Sequence, residues 1–435
     1  MTKPFTEIIS ETDFLPLAQT ASHEYLKICN YLEDRRDGFT QKFYMHVIKE
    51  SLELEDFLDD HGARTNKNWV YFGELVASSR NFGRIAYTLI HVLRRYNFYH
   101  LEGSRVKGFL SRARETMDFL NQSIIALFEA IGKECKRLGL KLPVEKIDDE
   151  DFQEVTPTKV LPHNIGEEEG IDEKKNALKI ATDYINIAKR FMGLECVNCS
   201  TPQQLKDIIP CKVSEDKLRE FQYAIHNLQS IYDTYIKNTS LEAESSSLKS
   251  LRGYISLALH LLEIACWLSH FYERHESEIR HEKTKKKIEK VINKELLLEN
   301  VINFSLYYAQ GYLQEGTTQA HNMLKAYTEI DTIELKIPEG LGFHLRPSTL
   351  VAKVVNYYGS TVMMMVKDKR FNASSPIEMM WAGGMLKREN IDTVKFEGDK
   401  RVLHDLQILS GVNYGEDIIG KSIDLPKELA YLNKS

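Results

Sequence analysis

Proline is absent between Pro16 and Pro143, and again between Pro210 and Pro338. Because proline removes a backbone donor and clashes with the preceding turn, it breaks helix interiors, and its absence leaves two long stretches free to be helical. In the first, Val70, Tyr71, Leu75, Val76, Phe82, Ile85, Leu89, Ile90, Leu93 and Tyr96 follow the helical period rather than strict alternation. The second holds neither glycine nor proline from Tyr254 to Gln310. Its first part is apolar (Leu257, Leu261, Ile264, Cys266, Trp267, Phe271) and its middle, Arg274 to Lys290, is charged, which predicts long helices with one solvated turn region. Helical bundles are therefore expected over residues 1–145 and 176–330. Between them, residues 146–175 carry Asp148, Asp149, Glu150 and Asp151, then Pro157 and Pro162, then Glu167, Glu168 and Glu169, a composition expected of a solvated acidic linker.

At 435 residues the chain is long enough for two or three domains, and 43% hydrophobic content suffices for their cores. A net charge of −6 on balanced acidic and basic residues gives no broad basic field, so nucleic acid is not the expected partner. No stretch reaches the roughly 20 continuous apolar residues of a membrane span, and Met1 to Thr12 is polar and acidic rather than basic then apolar. A cytoplasmic location is expected. The six cysteines are too scattered for a disulfide framework and read as reduced thiols.

At about Asp331 the period changes. Ile333, Leu335 and Ile337 alternate with Thr332, Glu334 and Lys336, the pattern of a half-buried strand. A helical pattern follows from Arg346 to Tyr358. Two short runs, Thr361 to Val366 and Arg370 to Ala373, read as a hairpin about Lys367 and Asp368. A helix from about Pro376, a strand with Val394 and Phe396 inward, and a helix with Val402, Leu406 and Leu409 in line complete residues 331–411. The expected architecture is α+β, a mixed sheet with helices on one face. The remaining residues, 412–435, with Tyr414, Ile418, Ile419, Leu425 and Leu429, are expected to pack back on a neighbouring surface.

Within this last domain stands Leu341-Gly342-Phe343-His344-Leu345-Arg346-Pro347-Ser348. Neutral imidazole is nucleophilic near pH 7 and forms a labile phosphoramidate, so His344 is suited to take up a phosphoryl group. Pro347 fits the first helical position, where its missing N–H costs nothing. The helix entry at Leu345, Pro347 and Ser348, with the free amides of its first turn and the positive end of the helix dipole, makes an anion site. Arg346 adds charge-assisted hydrogen bonds to phosphate oxygens, and Gly342 lets the chain turn sharply before the histidine.

This segment resembles the active-site signature of the HPr family of phosphocarriers, typically Gly-Leu-His-Ala-Arg-Pro. Asn372-Ala373-Ser374-Ser375 before Pro376-Ile377-Glu378-Met379-Met380 resembles the segment around that family's regulatory serine, and the separation of His344 from Ser375 equals the usual family spacing. Thr393 to Gly398 resembles its last strand and turn. The resemblance covers about Asp331 to Gly411, with Leu345 standing where the family has a small residue, and implies an open-faced β-sandwich. It further implies His344 as phosphoryl acceptor, Arg346 as phosphate stabiliser, a phosphoenolpyruvate-dependent protein kinase of the phosphotransferase system as donor, and an unidentified acceptor or target. Such a chain is a carrier acting with partner kinases rather than a free-standing enzyme, and needs no metal or cofactor. Ser375 matches a serine that some family members have phosphorylated; the plainer reading is a helix N-cap before proline. From a different class, the competing reading is a non-phosphorylated scaffold that uses the HPr-like domain for docking, and in either case the helical region could self-associate.

Three other constellations have plainer readings. Cys196-Val197-Asn198-Cys199 with Cys211 lacks a fourth zinc ligand at ligand spacing. His270, Glu273, His275, Glu276, Glu278 and His281 lack the second copy a di-iron centre needs and read as a solvated face. Arg80, Arg84, Arg94 and Arg95 are expected to answer Glu50, Glu53, Asp56 and Asp59 within the bundle.

Overall fold

A computed structural model describes residues 8–101, 105–153, 161, 173–194, 199, 201–276 and 282–433. The described elements are mainly helical. In chain order they are α1 (Glu11–Ala21), α2 (His23–Asp34), α3 (Gln41–Asp60), α4 (Val70–Arg95), α5 (Arg105–Leu138), α6 (Glu173–Met192), α7 (Pro202–Ile208), α8 (Glu215–Tyr235), α9 (Ser240–Glu244), α10 (Ser246–Glu276), α11 (Glu282–Glu289), α12 (Lys294–Glu299) and α13 (Tyr307–Tyr327). A π-helical stretch, Asn300–Leu306, runs into α13. Two compact units are drawn from interleaved segments: Met1–Glu168, Arg190–Gln229 and Arg252–Glu315 form one, and Glu169–Lys189, Ser230–Leu251 and Gly316–Ser435 the other. The stretch 176–330 is thus shared between the two rather than a bundle of its own, because α6, α8, α10 and α13 each contribute to both.

In the first unit α3, α4 and α5 pack on one another. Phe43, Val47 and Leu54 of α3 and Phe72, Val76 and Leu89 of α4 are all buried. At Gly83 a β-carbon would lie 3.2 Å from Val47, so glycine permits the close approach of α3 and α4. Thr40 caps α3 by accepting from the Phe43 amide. Arg80 pairs with Glu55 at 3.1 Å, while Arg84 lies over the Trp267 ring, Arg94 donates to Gln41 and Arg95 lies over Phe98. Among the contacts of the described residues, one ion pair with Glu55, one hydrogen bond and two stacking contacts stand in place of the expected pairing with Glu50, Glu53, Asp56 and Asp59.

The start of the acidic stretch is ordered against this unit. Asp149 accepts from the Tyr31 hydroxyl at 2.9 Å and pairs with Arg35, and Phe152 is buried among Tyr31, Phe43 and His46. An aspartate and an aromatic residue thus dock the start of a segment that its charges predict to be solvated. Residues 154–160 and 162–172 lie outside the described set. One helix, α10, contains a window long and apolar enough by composition to cross a membrane, although Ser256, His260 and Glu263 interrupt its apolar run. Of that window 78% is buried inside the protein, as in a core helix.

The second unit holds β1 (Ile330–Lys336), α14 (Leu345–Tyr358), β2 (Val362–Val366), β3 (Lys369–Asn372), α15 (Pro376–Arg388), β4 (Thr393–Asp399) and α16 (Lys400–Gly411). The sheet order is β1-β4-β2-β3. Every neighbouring pair is antiparallel, with Ile333 opposite Phe396, Met364 opposite Phe396 and Met364 opposite Phe371. A mixed sheet is therefore not formed: β1 and β2 run the same way but are separated by β4, which opposes both. The buried face, with Leu335, Val362, Met364, Val394 and Phe396, meets Val351 and Val355 of α14, Met379 and Ala382 of α15, and Val402 and Leu406 of α16. At the far end of α14, Asn186 of α6 donates to the Tyr357 carbonyl at 2.8 Å, and Arg401 donates to Thr182 at 3.2 Å.

The tail from Val412 to Asn433 packs back on this domain, as its apolar residues predict. Tyr414, Leu429 and Leu432 are buried. The Tyr414 hydroxyl donates to the Lys336 carbonyl at 2.8 Å, and the Tyr431 ring stacks on Tyr357 at 3.9 Å. Ile418 and Ile419, between these anchors, are exposed.

Candidate functional site

The loop from β1 to α14 is shaped by two glycines in the left-handed region, Gly340 at φ +82° and Gly342 at φ +68°. At Gly340 a β-carbon would stand 2.6 Å from the Ile418 carbonyl, so the loop and the tail approach backbone to backbone. The His344 amide closes a tight turn onto the Gly342 carbonyl at 2.8 Å. Phe343 plugs into the core beside Tyr414 and Phe396. With Phe343 turned inward, His344 faces outward, its side chain 32% exposed.

His344 is the N-cap of α14, in extended conformation, and its carbonyl accepts from the Ser348 amide at 3.1 Å. The helix starts at Leu345, so Pro347 occupies its third position rather than its first. That position still lies in the first turn, where amides have no intrahelical acceptor. The cradle expected from Leu345, Pro347 and Ser348 is correspondingly narrower. Proline has no N–H, the Ser348 amide is engaged, and the Ser348 hydroxyl is buried without a partner among the described residues. The amides of Leu345 and Arg346 have no backbone acceptor among the described residues and remain for an anion. The Leu345 side chain is exposed and adds an apolar flank.

The residue that sequence reasoning missed is Glu416. Its Oε2 lies 2.7 Å from His344 Nε2, and its Oε1 lies 3.6 Å from Arg346 Nη1. The carboxylate is buried, with its side chain 5% exposed, and Oε1 has no hydrogen-bond partner among the described residues. Arg346 also donates to the Gly420 carbonyl at 3.4 Å. Glu416 is delivered by an unusual turn in which Asn413, Tyr414 and Gly415 all have positive φ (+46°, +56° and +78°). Left-handed backbone at a non-glycine residue costs about 1–3 kcal/mol and persists only where the surroundings hold it. Here Asn413 accepts from the Glu339 amide at 2.7 Å and donates to the Glu416 carbonyl at 3.1 Å, while Tyr414 is locked in the core. No local pattern in residues 412–416 announces a carboxylate at the histidine, and the partners are 72 residues apart.

Ser375 caps α15 by accepting from the Glu378 amide at 3.3 Å, with Pro376 at the first helical position; the Glu378 carboxylate accepts from the Asn372 amide at 2.7 Å. This is the plainer of the two readings of that serine. Of the cysteine pattern, residues 195–198 lie outside the described set; the Cys199 amide donates to Asn303, and Cys211 is exposed. Glu278 and His281 also lie outside it, while His270 bonds Glu215 at 2.8 Å and His275 bonds the Phe271 carbonyl at 2.7 Å. Among the described residues no group of three or more His, Cys, Asp or Glu side chains is placed to hold a metal.

A second polar constellation, absent from the sequence expectation, lies in the first unit. Glu55, Arg80, Asn81, Arg274 and His275 are among the residues lining a cavity of about 170 Å³. Asn81 Oδ1 is buried there without a hydrogen-bond partner among the described residues. Burial raises the Glu55 carboxyl against the pull of Arg80, and burial lowers His275 to about 4. Glu55, Asp59 and Glu74 balance Arg64, Arg80 and Arg274 around it, so the lining prefers neither an anion nor a cation. Compared with protein-family models, curated proteins and solved structures, the chain matches none.

Proposed function

We propose that residues 331–411 are an HPr-like phosphocarrier domain in which His344 accepts a phosphoryl group from a phosphoenolpyruvate-dependent protein kinase. The observation that carries this reading is the joint placement of an outward imidazole, the two free amides of Leu345 and Arg346, and the Arg346 guanidinium at one helix N-terminus. In the transfer, a ring nitrogen of His344 forms a bond to phosphorus as the donor's bond to phosphorus breaks. The amides, helix dipole and Arg346 then face the phosphoryl oxygens. The order strand, helix, strand, strand, helix, strand, helix and the sheet order β1-β4-β2-β3 support the resemblance.

A carrier needs a surface on which its partner docks. Phe343 abuts Gly383 of α15, and α15 presents Ile377, Met380 and Trp381 to solvent, as does Leu345 at the start of α14. These apolar residues in an exposed setting suit a protein partner. The same surface favours the second reading, a docking module that is never phosphorylated.

Incubating the full chain with phosphoenolpyruvate and the donor kinase separates the two. Acid-labile label on wild type and none on His344→Ala supports the carrier. Equal, negligible labelling of both proteins removes it and leaves the docking module.

A further inference from the structure

We infer that Glu416 is a positioning residue for His344: it holds the ring as the Nε2–H tautomer, so that Nδ1 is the accepting atom, and it stabilises the charge the ring gains on phosphorylation. The inference rests on the carrier reading and adds a residue from the tail, outside the segment that resembles the family.

A carboxylate can only accept, so the 2.7 Å contact requires the proton to sit on Nε2. In a neutral imidazole the lone pair is then on Nδ1, the atom on the other side of the ring. When Nδ1 bonds to phosphorus and the donor's bond breaks, the Nε2 proton stays in place and the ring becomes cationic. Glu416 faces that cation directly. On onward transfer the Nδ1–P bonding pair returns to the ring, which leaves as the same neutral tautomer. Each half of the cycle begins and ends with the proton held between Nε2 and Glu416.

The arrangement is built rather than incidental. The carboxylate is buried, where an ion is costly unless paired, and it lies against the ring nitrogen of His344 and the guanidinium of Arg346. It is delivered by a left-handed turn that Asn413 and Tyr414 hold in place. Because Glu416 engages Nε2, its contact does not occupy Nδ1.

The test uses the full chain and potassium phosphoramidate, a small phosphoryl donor that needs no protein partner. Phosphorus NMR distinguishes Nδ1- from Nε2-phosphohistidine, and subtracting the His344→Ala spectrum isolates residue 344. Wild type is expected to carry phosphate on Nδ1. Glu416→Ala is expected to react at least about tenfold more slowly, the weight of one charge-assisted hydrogen bond, and to yield Nε2 product as well. Glu416→Gln still accepts from Nε2–H but has no charge, so it should keep Nδ1 product at a reduced rate. Phosphate on Nε2 in wild type, or the wild-type rate and product in Glu416→Ala, overturns the inference. If Glu416→Ala does not fold, Glu416→Gln decides, and a wild-type rate there overturns the inference too. These outcomes are independent of the kinase experiment: loss of kinase labelling with the phosphoramidate pattern intact removes the carrier reading alone.

Discussion

Gly383 of α15 lies against the backbone of Phe343: a β-carbon there would stand 2.7 Å from the Phe343 carbonyl oxygen and 2.8 Å from its Cβ. Helix α15 therefore packs on the very residue that turns His344 outward. Gly383→Ala must push the helix and the loop apart, and overpacking of this kind costs about 1–3 kcal/mol. Next to it, a β-carbon at Gly384 meets nothing within 4 Å, so Gly384→Ala should stabilise by about 0.4–1 kcal/mol through helix propensity and the unfolded chain. Urea unfolding of the two variants should shift in opposite directions; a shared direction would mean that the close approach carries no weight.

The far end of the tail is pinned by one carboxylate oxygen. Asp405 Oδ2 accepts from Tyr358 at 2.8 Å and from Tyr431 at 2.7 Å, and Asp405 is buried. Each Tyr→Phe change should cost about 1–2 kcal/mol, one hydrogen bond to a charged acceptor. Together the two should cost roughly 1 kcal/mol more than their sum, because the carboxylate is then buried without either donor. A double-mutant cycle by denaturant unfolding measures this, and strict additivity would show that Asp405 finds other partners.

His275 makes the first unit sensitive to acid. Burial, against the hydrogen bond to the Phe271 carbonyl and helped by the charges of Lys294 and Arg274, lowers it to about 4 from an ordinary 6.5. The unfolded chain therefore binds this proton more readily than the folded one. The resulting contribution is present in full above about pH 6.5 and is lost as pH falls towards 4, by up to roughly 3 kcal/mol. The fall in stability between pH 6.5 and pH 4 should be shallower in His275→Phe than in wild type. An unchanged slope would assign the acid sensitivity to other groups.

The described cysteines should separate cleanly by reactivity. Cys211 is exposed, Cys199 is partly exposed with its thiol raised by burial and by Asp207, and Cys29, Cys135 and Cys266 are buried. Burial pushes Cys135 and Cys266 up to about 12, which keeps both as unreactive thiols near neutrality. Alkylation at pH 8 followed by peptide mapping should mark Cys211 first and the three buried residues only after unfolding. Early labelling of Cys135 would reveal opening of the α5 core under native conditions.

Local order was legible in the chain itself. The apolar period from Val70 to Tyr96 became α4, Val70–Arg95, and the alternation about Ile333 became β1. The hairpin about Lys367 and Asp368 joins β2 to β3 as its two runs predict, with Lys367 at φ +53°. Side-chain period and turn chemistry are properties of neighbouring residues, and neighbours are what a sequence displays.

Other features were decided between distant residues. The insertion of β4 between β1 and β2 makes the sheet antiparallel throughout. The docking of Asp149 and Phe152 places the start of a segment whose charges predict a solvated linker. At the candidate site the sequence alone identified His344, Arg346 and a helix entry, because those residues are adjacent and their chemistry is local. Glu416 could come from the tertiary structure alone, since what brings its carboxylate to the ring is the burial of Tyr414 and a left-handed turn held by Asn413. A charge on an unpatterned tail acquires a role only when packing fixes the backbone that carries it.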